Sequence, residues 1–139
     1  MPNEYPIYTI DEYGPVVGEE AMLQELYQRG PISCGMATPK DFHNYTGGIY
    51  HDLTGANLNS HEVSIFGYGV EEGVKFWWVR NSWGSHWGMQ GIFKIIRGIN
   101  NVGIENECSW AVPKDTWTQE VKHVTTEEEK NDPRNKKYA

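Results

Sequence analysis

No stretch of the 139 residues is long or apolar enough to cross a membrane. The opening residues Met1-Pro2-Asn3-Glu4-Tyr5-Pro6 hold neither the basic nor the apolar region of a signal peptide. Basic residues form no stripe: 12 Lys and Arg stand against 19 Asp and Glu, a formal charge of −7. That balance argues against nucleic acid as a partner, and the missing apolar run argues against a membrane. His43, His51 and His86 stand at spacings that match no metal-ligand pattern. They read as surface histidines, and no metal or other cofactor is expected. Cysteine is scarce, with only Cys34 and Cys108. In a reducing compartment two buried thiols would be ordinary; in an oxidising one a pair invites a disulfide. Asn44-Tyr45-Thr46 is an N-glycosylation sequon, a secretory feature in a chain that lacks a leader. A piece of a longer precursor would reconcile these clues.

The chain does have aromatics. Phe76-Trp77-Trp78, Trp83, Trp87 and Phe93 cluster in one stretch and mark the centre of a core that one domain of this length can bury. Residues 1–17 read as an extended segment punctuated by Pro2, Pro6, Gly14 and Pro15, with a short strand at Ile7 to Ile10. Gly18-Glu19-Glu20 opens a helix whose acidic first turn suits the helix dipole. Met22, Leu23, Leu26 and Tyr27 supply its apolar face, and Gly30-Pro31 ends it. Beyond it the period changes. Ile32 to Ala37, Glu62 to Tyr68, Val74 to Arg80, Ile92 to Arg97 and Cys108 to Val112 read as strands. Glu71-Glu72-Gly73 makes a tight hairpin of two of them. The fold class is therefore α+β: mainly an antiparallel, barrel-like or strongly curled sheet, with one N-terminal helix. This domain spans 18–117. Residues 118–139 lose their apolar content to charge blocks and read as a disordered charged tail.

The chemistry lies in Ser60-His61-Glu62-Val63-Ser64-Ile65-Phe66-Gly67-Tyr68-Gly69, followed by Phe76-Trp77-Trp78-Val79-Arg80-Asn81-Ser82-Trp83-Gly84. Taken singly, each fragment fits an ordinary strand mouth or turn; the ordered pair does not. A histidine at a strand mouth can take and return a proton near neutral pH. An asparagine amide can accept from one ring N–H and so fix tautomer and orientation, and a tryptophan beside that bond can shield it from water. These are the base and the orienter of a Cys-His-Asn unit.

These motifs resemble the papain family of cysteine peptidases, in which a His precedes a strand ending G-Y-G and a segment W-x-x-[RK]-N-S-W-G follows. Within that family the likeness is to the C-terminal half of the cathepsin X (Z) group. It is carried also by Tyr13-Gly14, Gly30-Pro31-Ile32-Ser33-Cys34-Gly35, Asn44-Tyr45-Thr46-Gly47-Gly48-Ile49-Tyr50, Trp87-Gly88 and Ile104-Glu105 with Cys108. It extends over residues 5 to about 113. The resemblance implies the right-hand half of a papain-like fold, with His61 as general base and acid, Asn81 as orienting amide and Trp83 as the indole over their bond. It also implies Trp87 on the primed side of the cleft, a Cys34–Cys108 disulfide, a glycan on Asn44, and a lysosomal or secretory protein.

The family's nucleophile motif, C-G-S-C-W or a relative, is absent, as are the oxyanion-hole glutamine and the loop that reads a substrate's C-terminal carboxylate. Cys34 does not replace the nucleophile, because it opens a strand and gains nothing from a helix N-terminus. Glu62 follows the His where a small or aliphatic residue is usual, and strand alternation turns it away from His61. Three expectations follow. The chain is half of a cathepsin X/Z-like peptidase of carboxypeptidase lineage, inactive alone. Its partners are a peptide or protein substrate and a Cys-bearing half-domain, or another protein covering the cleft face. The alternative is a non-catalytic pseudo-peptidase, an assembly module or a truncated gene product.

Overall fold

A computed structural model describes residues 8–114; the expected tail at 118–139 and the start of the expected strand at Ile7 lie outside them. Chain contacts set Tyr13–Ala111 apart as one unit; of the second unit the described residues are 8–12 and 112–114. In the second, the Lys114 amide donates to the Thr9 carbonyl at 2.9 Å. Everything that concerns the site belongs to the first.

The elements run β1 (Ile10–Val16), α1 (Glu19–Gln28), β2 (Ile32–Met36), a 3-10 turn (Lys40–Asn44), β3 (Ile49–Tyr50), β4 (His61–Glu71), β5 (Val74–Arg80), β6 (Ile92–Ile96), a second 3-10 turn (Asn101–Gly103) and β7 (Cys108–Pro113). One seven-stranded sheet takes the order β1-β7-β2-β4-β5-β6-β3. The class is α+β as expected. The sheet is not closed into a barrel, however, and it is mixed, because β3 pairs with β6 in parallel. The first strand starts at Ile10, later than expected, and runs through Gly14-Pro15. An edge strand tolerates Pro because one of its sides needs no ladder bond. A Cβ at Gly14 would stand 2.8 Å from Trp110 Nε1, so any larger residue there would have to displace the indole.

Helix α1 ends where the sequence predicts, with Gly30 at φ 98° just past the Arg29 cap. Its buried face is narrower than predicted. Met22 is fully buried and Leu23 and Leu26 are partly so, but Tyr27 is 84% exposed. At 3.6 residues per turn Tyr27 lies about 140° round the helix from Met22, beyond the packed stripe. The Glu19 carboxylate ties the helix to the sheet through Lys75 Nζ at 2.7 Å and Arg97 Nη1 at 2.6 Å. Lys75 first, then Arg97, holds the Glu19 carboxyl below its ordinary pKa against the opposing effect of burial.

The β4–β5 hairpin places the site. Glu71 pairs with Val74, so Glu72 and Gly73 are the two turn residues, and their φ values of 49° and 81° fit a turn whose twist matches the strands. A register shift between Ile65 and Gly67 lengthens one strand against the other. Residues twenty apart, His61 and Asn81, therefore meet at the hairpin's open end. Beneath them lies an aromatic core around fully buried Phe42, which contacts Tyr50, Trp83, Trp87 and Phe93 with ring centres 4.9–5.6 Å apart.

Candidate active site

His61 is the first residue of β4 and pairs with Met36 of β2; Asn81 follows the last residue of β5. His61 Nε2 lies 2.8 Å from Asn81 Oδ1. The same oxygen takes the Ser82 amide at 2.8 Å. An oxygen holding one N–H acts as an acceptor, so Nε2 is the donor of the second bond. Neutral His61 then carries its proton on Nε2, and Nδ1 keeps its lone pair, with no hydrogen bond to it among the described residues. That is the tautomer a base needs if it is to take a proton on its outer nitrogen.

Asn81 is 7% exposed and His61 is half-buried, so the bond between them is partly shielded from water, which strengthens it. Its Nδ2 is buried with no hydrogen-bond partner among the described residues. A buried donor left unpaired costs about 1–3 kcal/mol.

Trp83 lies over the pair: its ring centre is 5.1 Å from that of His61, the planes tilted by 35°. Its other neighbours are Phe42 at 5.6 Å, Trp87 at 5.1 Å and His43 at 4.9 Å, the last with planes only 6° apart. Trp87 is 8% exposed, its Nε1–H donates to the His43 carbonyl at 3.1 Å, and its ring packs against that of Trp83. Glu62 is exposed, on the other side of the strand from His61, and accepts from the Ser33 hydroxyl at 3.2 Å. A cavity of about 680 Å³ borders the far side of Asn81, lined among others by Pro31, Ser64, Phe66, Arg80 and Ile92.

A profile of the papain family cysteine proteases matches residues 2–112. The chain belongs to the papain family of cysteine peptidases. It is 42% identical over 120 residues to cathepsin Z of Onchocerca volvulus, covering 80% of this chain and 39% of that protein. A cathepsin B-like cysteine proteinase 5 of Caenorhabditis elegans is 42% identical over 94 residues, 68% of this chain and 27% of the relative. Among solved structures, procathepsin B S9 of Trypanosoma congolense superposes with a TM-score of 0.72 at 31% identity, covering 78% of this chain and 38% of that one. Digestive procathepsin L2 of Tenebrio molitor gives 0.70 at 34%, covering 74% and 34%. The chain thus spans well under half the length of these papain-family relatives.

The residues singled out by sequence fall into two groups. His61, Asn81, Trp83 and Trp87 come together. Cys34 and Cys108 form a disulfide on the β2–β7 rung, with Cα atoms 4.1 Å apart, and Asn44 is exposed at the end of the first 3-10 turn. Neither the disulfide nor the sequon contributes to the imidazole–amide pair. His51 and His86 are exposed, as read from the sequence. Sequence reasoning missed His43, whose ring is exposed but stacked on Trp83. It also missed Asn59, which bonds the His61 backbone. Neither lies in a motif; only its position two residues before His61 could have drawn attention to Asn59.

Proposed function

We propose that this chain is the base-bearing wall of a papain-type cysteine peptidase, and that the thiol comes from the part of the papain fold its relatives carry beyond this chain. The observation that carries the proposal is the His61 Nε2–H···Oδ1 Asn81 bond under the Trp83 indole. In such an enzyme His61 Nδ1 takes the proton of a cysteine thiol, and the thiolate adds to a peptide carbonyl. The imidazolium returns the proton to the leaving amine as the C–N bond breaks. Water, deprotonated by His61, then frees the acyl group and regenerates the thiol. Asn81 holds the ring so that Nδ1 faces the sulfur throughout, and it stabilises the imidazolium while that charge exists.

Several finer points belong to the same proposal. Likeness to cathepsin Z supports a carboxypeptidase lineage. The substrate is a peptide or protein, and the site of action is lysosomal or secretory, in keeping with the Cys34–Cys108 disulfide. Alone the chain is inactive, because it has no thiol placed at His61: both of its cysteines are joined to each other.

The test is turnover of a fluorogenic peptide with and without a thiol-directed inhibitor. The chain alone is expected to show none that the inhibitor blocks. Refolded with a Cys-bearing half of a papain-family relative, it is expected to gain inhibitor-sensitive turnover that His61→Ala abolishes. Inhibitor-sensitive turnover by the chain alone would overturn the assignment of the thiol. Assembly with the other half that leaves turnover at background would favour a non-catalytic module.

A further inference from the structure

The backbone of His61 is itself restrained, by groups outside the imidazole–amide pair. Its amide donates to Asn59 Oδ1 at 3.3 Å, and Asn59 Nδ2 donates to Glu107 Oε2 at 2.6 Å. A carboxylate acceptor makes the second bond charge-assisted and stronger than one between neutral groups. Glu107 is anchored in turn. Its carbonyl accepts the Gly35 amide at 2.9 Å, and the next residue is Cys108, disulfide-bonded to Cys34 on the neighbouring strand. Gly35 is also the floor on which Asn59 rests: a Cβ there would stand 2.0 Å from Asn59 Nδ2 and 2.6 Å from its Cγ. The φ of Gly35 is not in the left-handed region, so what a side chain at this position would disturb is the carboxamide, which would have to leave its place.

This arrangement acts where the chain needs it. Residues 51–60 carry no helix or strand, and His61 is the terminal residue of the strand that follows. Strand ends fray unless something holds them, and a general base has to be placed to about half an ångström. The Ser60 amide bond to the Met36 carbonyl at 3.1 Å holds one side of that entry, and Asn59 holds the next donor along.

We infer that Asn59 and Glu107 are positioning residues for His61. Glu107 clamps the Asn59 carboxamide in the slot over Gly35, and Asn59 fixes the turn into β4 so that the ring of His61 meets Asn81. Neither residue touches a reacting atom. The inference rests on the reading of His61 as the base.

The test uses long-range nitrogen–proton spectra of the histidine rings in the intact chain, which report where the His61 proton resides. Asn81→Ala sets the scale by removing the bond to Nε2. Glu107→Ala and Gly35→Ala are expected to move the His61 tautomer ratio several-fold toward that of Asn81→Ala. Glu107→Gln, which keeps an acceptor oxygen, is expected to restore most of the wild-type ratio. In an Asn81→Ala background Glu107→Ala is expected to add nothing, since both would act on one bond. Should Glu107→Ala fail to fold, Asn59→Asp is the second variant: it keeps the acceptor for His61 but sets a carboxylate against Glu107, and it is expected to shift the ratio likewise. An unchanged ratio in these variants, with only the melting temperature lowered, would reduce the contact to general stability and overturn the inference. A further shift in the Asn81→Ala background would also overturn it. If Asn81→Ala itself leaves the ratio unchanged, the base-and-orienter reading falls, and the inference falls with it.

Discussion

His43 stacks on Trp83 with ring centres 4.9 Å apart and planes within 6° of parallel, so the indole above the His61–Asn81 bond is braced by a second imidazole. Phe42 and Trp87 meet the same indole edge-on or tilted, at 5.6 and 5.1 Å. Trp83 is thus held by packing; among the described residues its indole N–H makes no hydrogen bond.

Loss of that roof should act through the bond it covers. In an enzyme reassembled with a thiol-bearing half, Trp83→Ala is expected to lower kcat/KM by about tenfold, ~1.4 kcal/mol in the barrier, because water gains access to the imidazole–amide bond. Asn81→Ala should cost more, on the order of 10²- to 10⁴-fold, since the ring then loses tautomer control and orientation together. Steady-state kinetics on the two variants checks the order. A Trp83→Ala loss as large as that of Asn81→Ala would mean that the indole does more than shield.

The disulfide should matter to stability more than to chemistry. Cys34 and Cys108 are 74 residues apart, a long loop for a cross-link to close. Reduction, or the double change to Ala, is expected to cost about 2–4 kcal/mol, mostly by freeing the unfolded chain. Denaturant titration with and without reductant measures it. A midpoint that does not move would show that the β2–β7 rung stands without its covalent link.

Acid should loosen the helix from the sheet. Lys75 and Arg97 depress the Glu19 pKa from its ordinary 4.5. At Asp52 burial opposes ionisation, but the Thr54 hydroxyl and the amides of 54–56 outweigh it and depress the pKa from 3.8. For a carboxyl whose folded pKa is depressed, the stabilisation is fully present above the unfolded value and is lost as pH falls through the folded one. Stability is therefore expected to hold above about pH 5 and to decline below it. Glu19→Gln should lower stability by about 1 kcal/mol at pH 7, with the difference from wild type closing toward pH 3. Thermal melts across that range check the sign; a difference that widens in acid would be the wrong one.

The sequon makes a prediction about compartment. Asn44 and Thr46 are exposed while Tyr45 between them is buried, its hydroxyl donating to the Gly48 carbonyl at 2.6 Å. Expressed through a secretory pathway, the chain is expected to carry one N-glycan on Asn44, absent in Thr46→Ala. Intact mass before and after glycosidase treatment decides it. An unmodified Asn44 in that setting would argue against the secretory reading.

Much of this protein was legible in its residues. Apolar periodicity marked α1 and five strands, Glu72-Gly73 marked the hairpin, and the two motifs named His61, Asn81 and Trp83 in order, because short-range rules govern turns, caps and strand alternation. Other features came only with the fold. Tyr27 left the helix's buried face because the width of that face depends on what packs against it, and β3 joined β6 in parallel because strand order is set by long-range burial. The same holds for His43 against Trp83 and for Asn59 between Gly35 and Glu107. These contacts join residues up to 48 positions apart, and no local pattern records which side chains a sheet will bring within bonding distance. The sequence by itself supplied the candidate imidazole, amide and indole; the tertiary structure decided which nitrogen of His61 meets Asn81, since that depends on an oxygen delivered from the neighbouring strand.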